Sequence, residues 1–360
     1  MNIHYWKSDN GNFGDDLNGW IWEENTQNKT IWRDNDNITF VGVGTVLDKA
    51  IPKETFKIVL GSGVGYALPP SDMNDPKHWK IFGVRGPLTA NLLNLQPNLS
   101  MTDPAILVAN MEKFRSTKKE GTIFIPHWKS IGYGHWPSVC KELGIEYVDP
   151  RGDAEEIIMR IGNASLVLAE SMHSAIIADA LRTPWIAIAT SPEIVPFKWA
   201  DWSLSLGMPY KPVCLAPSSV GEYIRNRISQ FSYHCAIFQR GLFSINSPIC
   251  HLEFSSPEEI TNIYKNNMRR ANQKWRTSIT SILEAIIKRS LRKKDIHSDV
   301  KIKGRLYKQS VSQLKEVLEM PSMLSDETKH RGKLEQVVLA LRQIEHDYEN
   351  GTLIPKETRT

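Results

Sequence analysis

The sequence predicts an α/β protein in which parallel sheets carry helices on their faces. Three observations support this. Short apolar runs rich in Ile, Val and aromatics recur through the first two-thirds of the chain and often end in Gly or Pro. Segments with helical spacing and helix-start signals stand between them. The alternation of the two is the pattern of strands joined by crossover helices.

Strands are expected, in order, at Ile3–Trp6, Ile38–Val43, Phe56–Leu60, Trp79–Val84, Thr122–Pro126, Ile145–Val148, Ser165–Ala169 and Trp185–Ala189. Pro87 suits the first position of a helix running through Leu92 and Leu93. Asp153 and Glu156 form a D-x-x-E capping box ahead of Ile157, Ile158 and Ile161. The charged run Glu112–Glu120, closed by Gly121, reads as a linker between two α/β domains. In such a pair, ligands bind where strand C-termini face the cleft. Beyond Pro196 the pattern weakens, and from Ser255 it turns helical. Ser325-Asp326-Glu327 starts a helix with Leu334, Val338 and Leu341 on one stripe and Gly351 just past its end. The expected units are therefore 1–115, 116–254 and a helical, basic extension at 255–360.

Composition supports cores for such units. The 360 residues are 41% hydrophobic and 23% charged, which argues against disorder. No run of about 18 apolar residues marks a transmembrane helix, and Met1–Asn10 lacks the apolar stretch of a signal peptide. Cys140, Cys214, Cys235 and Cys250 form no C-x-x-C and are too sparse for a disulfide framework. A reducing, cytoplasmic compartment is expected. The net charge is +4, but residues 267–294 hold nine cations against the single acid Glu284, so the remainder carries −4. Within that segment Ile279, Ile282, Leu283, Ile286 and Ile287 lie at helical spacing. This is either a peripheral membrane-surface helix or a packed helix with a solvated basic face. No nucleic-acid motif accompanies it.

Polar groups collect where strands end. Asn12-Phe13-Gly14-Asp15-Asp16-Leu17-Asn18 follows the first strand, offering backbone N–H groups and carboxylates to a cleft. Helix capping by Asp15 or Asp16 is the competing reading, and no convergent ligand set speaks for a metal. Gly61-Ser62-Gly63-Val64-Gly65 permits close backbone approach to a ligand or simply makes a tight turn. It is not a dinucleotide fingerprint, because Tyr66-Ala67-Leu68-Pro69-Pro70 is a poor helix start. Arg85 at the next strand–helix junction suits bidentate grip of a carboxylate or phosphate, or a salt bridge. His127-Trp128-Lys129-Ser130 places cationic groups after a fifth strand. Glu170-Ser171-Met172-His173-Ser174-Ala175 opens a helix with His173 in its first turn, where the dipole favours an anion. Lys198 is a further cation, and Trp199 with Trp202 either stacks on a sugar or fills the core. The motifs of serine hydrolases, P-loop NTPases and zincins are absent.

In order, Asn12–Leu17, Gly61–Gly63, Val84–Thr89, Asp103-Pro104-Ala105, Pro126–Ser130 and Glu170–Ala180 resemble the polysaccharide pyruvyl transferase family, across residues 1 to 205. The bacterial subgroup that decorates exopolysaccharides, capsules and lipopolysaccharides is the most similar. The resemblance implies a GT-B-like fold, two Rossmann-like domains around a cleft. It implies transfer of the pyruvyl group of phosphoenolpyruvate to two sugar hydroxyls as a ketal, with no cofactor and no metal. Many relatives have Arg-Leu-His where this chain has Ser171-Met172-His173, so the His carries over to His173 and the Arg does not. Its anion contact falls to Arg85, Lys129 or Lys198.

On that reading His173, with a reference pKa of about 6.5, is the acid. Asp15 or Asp16 orients or deprotonates the acceptor. Arg85, His127, Lys129, Ser130, Ser171, Met172, Ser174 and Lys198 hold phosphoenolpyruvate. Asn12, Gly14, Gly63 and Tyr66 meet the acceptor glycan, which in lipid-linked form would bring the protein to the inner face of the membrane. The alternatives are a GT-B glycosyltransferase using a nucleotide sugar, and a catalytically dead glycan-binding protein.

Overall fold

The structure, a computed structural model, describes residues 1–33, 37–191, 194–229, 250–251, 256–271 and 300–355. Of the basic segment 267–294, all beyond residue 271 lies outside the described residues, as does Cys235.

The first half comprises β1 (Asn2–His4), α1 (Phe13–Asp16), α2 (Ile21–Asn25), β2 (Ile38–Val41), β3 (Phe56–Leu60), β4 (Trp79–Gly83) and α3 (Pro87–Leu92). Its strands form one parallel sheet in the order β1-β2-β3-β4. The second half comprises β5 (Thr122–Ile125), α4 (Trp136–Glu142), β6 (Glu146–Tyr147), α5 (Ala154–Asn163), β7 (Leu166–Ala169), α6 (Met172–Ala180), β8 (Trp185–Ala189), α7 (Pro196–Ser205), β9 (Val213–Cys214), α8 (Val220–Ser229) and β10 (Cys250–His251). Its sheet runs β6-β5-β7-β8-β9-β10, parallel except for the β9–β10 pair. Helices α9 (Pro257–Ala271), α10 (Val300–Leu318) and α11 (Glu327–Glu349) follow.

All eight expected strands form, and for the expected reason. β3 and β8 are buried at every position, as continuous apolar runs are when helices cover both faces of a parallel sheet. β2 stops two residues early because Val43 N–H leaves the ladder to donate to Asn18 Oδ1 (3.1 Å). The two-residue strands β9 and β10 were not anticipated, being too short to show a period. Capping follows the sequence signals: Asp153 accepts from Glu156 N–H (2.9 Å) and Asp326 from Lys329 N–H (3.0 Å). Trp199 and Trp202 are core. Trp199 stacks on Tyr210 at 5.2 Å and Trp202 lies 5.4 Å from Trp185.

Two features join the halves. α11 lies against β3, where Lys80 pairs with Asp347 (2.7 Å) and Asn28 bonds Glu345 and Glu349. Just before α11, Met323 exchanges backbone hydrogen bonds with Trp185 (2.7 and 3.1 Å), and Ser325 donates twice to Asp179. The second feature is a carboxylate. Asp201 on α7 accepts from Thr89 N–H (2.9 Å), Thr89 Oγ1 (2.6 Å) and Arg85 Nε (3.2 Å). Gly86 makes this approach possible, since a Cβ there would sit 1.9 Å from the Asp201 carbonyl oxygen.

This network corrects the expected role of Arg85. Its guanidinium also donates to Thr45 Oγ1 (2.6 Å) and the Val64 carbonyl (2.8 Å), and no part of it reaches solvent. It is a strut, not an anion clamp. Gly63 is likewise spoken for: a Cβ there would meet the guanidinium carbon at 2.3 Å, so the glycine makes room for Arg85.

Removing one partner of a buried ion pair strands the other charge. Asp201→Ala is expected to cost about 3–5 kcal/mol of stability, read as a fall in the urea midpoint. A midpoint equal to wild type would show that the pair is not a structural link.

Candidate active site

In the second sheet the strand order reverses between β5 and β7. Loops leaving such a switch point diverge and open a crevice. Glu170 holds that crevice in shape. Its Oε2 accepts from His127 N–H (2.9 Å), and its Oε1 accepts from Thr190 N–H (3.1 Å) and Oγ1 (2.7 Å). One buried side chain thus ties together the ends of β5, β7 and β8.

A cavity of about 420 Å³ lies there, within the size range of small-molecule sites, about 300–1,000 Å³. The second half contributes His127, Trp128 and Lys129 after β5, Ser171, Met172 and His173 at the start of α6, and Lys198 in the first turn of α7. The first half contributes Trp6, Asn12 and Asp15 after β1, Thr45, Val46 and Asp48 after β2, and Tyr66 after β3. Asn18 fixes the first of these loops. Its amide donates to the Asp15 and Val43 carbonyls (both 3.0 Å) while its oxygen accepts from Trp22 Nε1 (3.1 Å).

His173 is 8% exposed. Its Nδ1 edge is packed on Gly14, where a Cβ would fall 1.9 Å from that nitrogen. Its Nε2 is buried without a hydrogen-bond partner. Burial, with Lys198 and Arg85 adding to it, holds the imidazole at about 3 instead of the ordinary 6.5. The expectation of a His173 poised near neutrality is thereby corrected: in the free protein it is uncharged at pH 7. Burial, then Lys198, Lys129 and Arg225, keeps His127 well below its usual range too. Its Nδ1 accepts from Lys129 N–H (3.4 Å).

The carboxyls shift the opposite way for the same reason. Burial pushes Asp15 up to about 7, against the pull of Lys198, with Asp16 and Asp103 adding repulsion. Asn12 Nδ2 donates to Asp15 Oδ2. Asp103, behind the wall, is raised to about 6, by burial first. Lys198 donates to the Tyr66 hydroxyl (2.6 Å) and lies 4.8 Å from that ring's centroid.

Of the residues singled out from sequence, Asn12, Asp15, Tyr66, His127, Lys129, Ser171, Met172, His173 and Lys198 meet in one wall. Gly14 stands directly beneath His173. Five others are not in the wall, among them Gly63, which makes room for Arg85. Asp16 Oδ2 accepts from Asn12 N–H (2.9 Å), a capping contact. Ser174 Oγ donates to the Ser171 carbonyl (2.6 Å), and Ser130 Oγ is buried away from it. Arg85 reaches it only through Thr45. Trp6, Thr45, Val46, Asp48 and Trp128 were missed as site residues. The signal for the second loop was Gly42-Val43-Gly44-Thr45 directly after a strand. Among the described residues no group of three His, Cys, Asp or Glu side chains is placed to hold a metal ion.

A family model described as polysaccharide pyruvyl transferase matches residues 12–192. The succinoglycan biosynthesis protein ExoV of Rhizobium meliloti (strain 1021) is 47% identical over 215 residues, covering 59% of this chain and 67% of that protein. No solved structure matches.

The two opposed shifts separate in single variants. Between about pH 4.5 and 6.5 the unfolded imidazole binds a proton that folded His173 refuses, so this group makes stability rise with pH. Folded Asp15 keeps a proton that its unfolded form loses, so it makes stability fall with pH over the same range. His173→Gln should therefore tilt the stability–pH profile downward toward pH 6.5, and Asp15→Asn should tilt it upward. Each tilt is at most about 1.4 kcal/mol per pH unit. Urea midpoints at the two pH values check it, and parallel profiles for both variants and wild type would refute the assigned protonation states.

Proposed function

The chain belongs to the polysaccharide pyruvyl transferase family and is a pyruvyltransferase, and from that premise we propose that phosphoenolpyruvate is the donor and two hydroxyls of an exopolysaccharide sugar are the acceptor. The product is a pyruvate ketal and the by-product is phosphate. The observation that carries this reading is the unpartnered Nε2 of His173 in a cavity shared with Lys198, Lys129 and Asp15. A small anion with its own oxygens would satisfy that nitrogen and be attracted by both ammonium groups.

The reaction needs a proton on the donor's methylene carbon. The cationic carbon so formed takes a sugar oxygen, the C–O bond to phosphate breaks, and the second hydroxyl closes the ring. The acceptor gives up two protons. One ends on the new methyl group and the other on phosphate, so the sum is donor plus diol giving ketal plus phosphate.

Donor binding changes the charge balance of the site. Burial, the larger cause of the depression, remains, but the donor's phosphate and carboxylate neutralise Lys198 and set negative charge beside the imidazole. That charge favours the protonated form, so the imidazole can hold a proton and deliver it. Lys198, set by Tyr66, and Lys129 bind the anionic groups in place of Arg85. Asp15, poised near 7 in the free protein, receives a hydroxyl proton from the acceptor. Ser171 and Met172 shape the wall where many relatives have the Arg-Leu pair.

A GT-B-like relation of the two halves agrees with a site lined from both. The acceptor is best taken as a lipid-linked glycan, with residues 267–294 as a contact to anionic lipid. No helix of the described residues is long and apolar enough to cross a membrane.

Incubation with phosphoenolpyruvate and an acceptor oligosaccharide should release phosphate and add to the sugar the mass of one pyruvate less one water. His173→Ala should lower the rate by about 10²–10⁴-fold with the fold retained. Phosphate release without a mass gain on the glycan, or activity of the variant within a few-fold of wild type, would overturn the assignment.

A further inference from the structure

Two indoles meet in the wall of the cavity. Trp6 comes from the loop after β1 and Trp128 from the turn after β5, so each half supplies one ring. Their centroids are 5.1 Å apart and their planes differ by 34°. Trp6 stays 42% exposed, whereas Trp22, Trp136, Trp185, Trp199 and Trp202 are almost wholly enclosed. His173 and Lys198, in the same wall, are each only 8% exposed. The cavity is therefore graded, with an open, aromatic end, where Lys129 Nζ lies 5.3 Å from the Trp128 centroid, and a closed end that holds His173 and Lys198. Asp48 stands in the wall with one carboxylate oxygen held by Ala50 N–H (2.7 Å).

An open aromatic face that shares a cavity wall with a carboxylate is chemistry that holds a pyranose. The C–H face of the sugar lies on the ring, and edge hydroxyls donate to the acid. The geometry points to Trp6 and Trp128 as a stacking platform for the acceptor sugar, with Asp48 accepting from one of its hydroxyls. This rests on the pyruvyltransferase reading for the class of ligand. The platform adds what that reading lacks, a place for the neutral substrate at the end of the cavity away from the buried cations.

The test is calorimetric titration of wild type, Trp6→Ala and Trp6→Phe with two separate ligands. One is phosphoenolpyruvate. The other is a set of neutral oligosaccharides from a depolymerised bacterial exopolysaccharide, free of pyruvate groups. Trp6→Ala should weaken oligosaccharide binding about tenfold and Trp6→Phe by less, as loss of ring stacking predicts. Phosphoenolpyruvate affinity should stay within about twofold, because the nearest cation, Lys129, lies over the Trp128 ring (5.3 Å to its centroid), which both Trp6 variants keep. Three results would overturn the platform: no oligosaccharide binding by wild type, equal affinity in Trp6→Ala, or a matching loss of phosphoenolpyruvate affinity in that variant. Wild type that binds the oligosaccharide through Trp6 but ignores phosphoenolpyruvate would instead remove the donor assignment and leave the platform standing.

Discussion

The site depends on a carboxylate that never meets solvent. Asp201 binds the start of α3 through Thr89 and the end of β4 through Arg85. It thereby brings the two sheets to one place. Its position on α7 is also what sets Lys198, three residues earlier and so on the neighbouring face of the same turn. A charge pair of this kind adds little net stability over an apolar substitute, since desolvation offsets most of the attraction. What it contributes is register. Thr45, bonded to the same guanidinium, stands in the cavity wall.

The same water exclusion that makes Asp201 costly to ionise governs the chemistry. It pushes imidazoles down and carboxyls up, so His173 and Asp15 are both held nearer neutrality of charge than their ordinary values would place them. A site so arranged stores few fixed charges of its own beyond its ammonium groups. On the proposed reading, the negative charge of the donor sets the protonation states, so that proton transfer waits on binding.

The strands were legible because buried parallel strands are written as apolar runs, and Trp185–Ala189 is a clear instance. The strand-end loops were legible too, since Glu170-Ser171-Met172-His173 and His127–Ser130 follow such runs directly. The direction of a side chain at a junction was not. Arg85 occupies a position from which a guanidinium can reach forward to a ligand or back into the core. The deciding partner, Asp201, is 116 residues away in sequence. Trp6 was hidden for a related reason. Read as the last residue of a strand it counts as core, yet β1 ends at His4 and the ring turns out to the cavity.

The α11 segment gives the molecule a long-distance closure. Asn28 and Glu345 are 317 positions apart, and Lys80 and Asp347 are 267 apart. During synthesis, at roughly 5–20 residues per second, the outer face of the first sheet leaves the ribosome tens of seconds before the helix that covers it exists. The strands of the first sheet are therefore made, and wait, without the helix that packs on them. That is the interval in which aggregation competes with folding and in which a chaperone has most to hold.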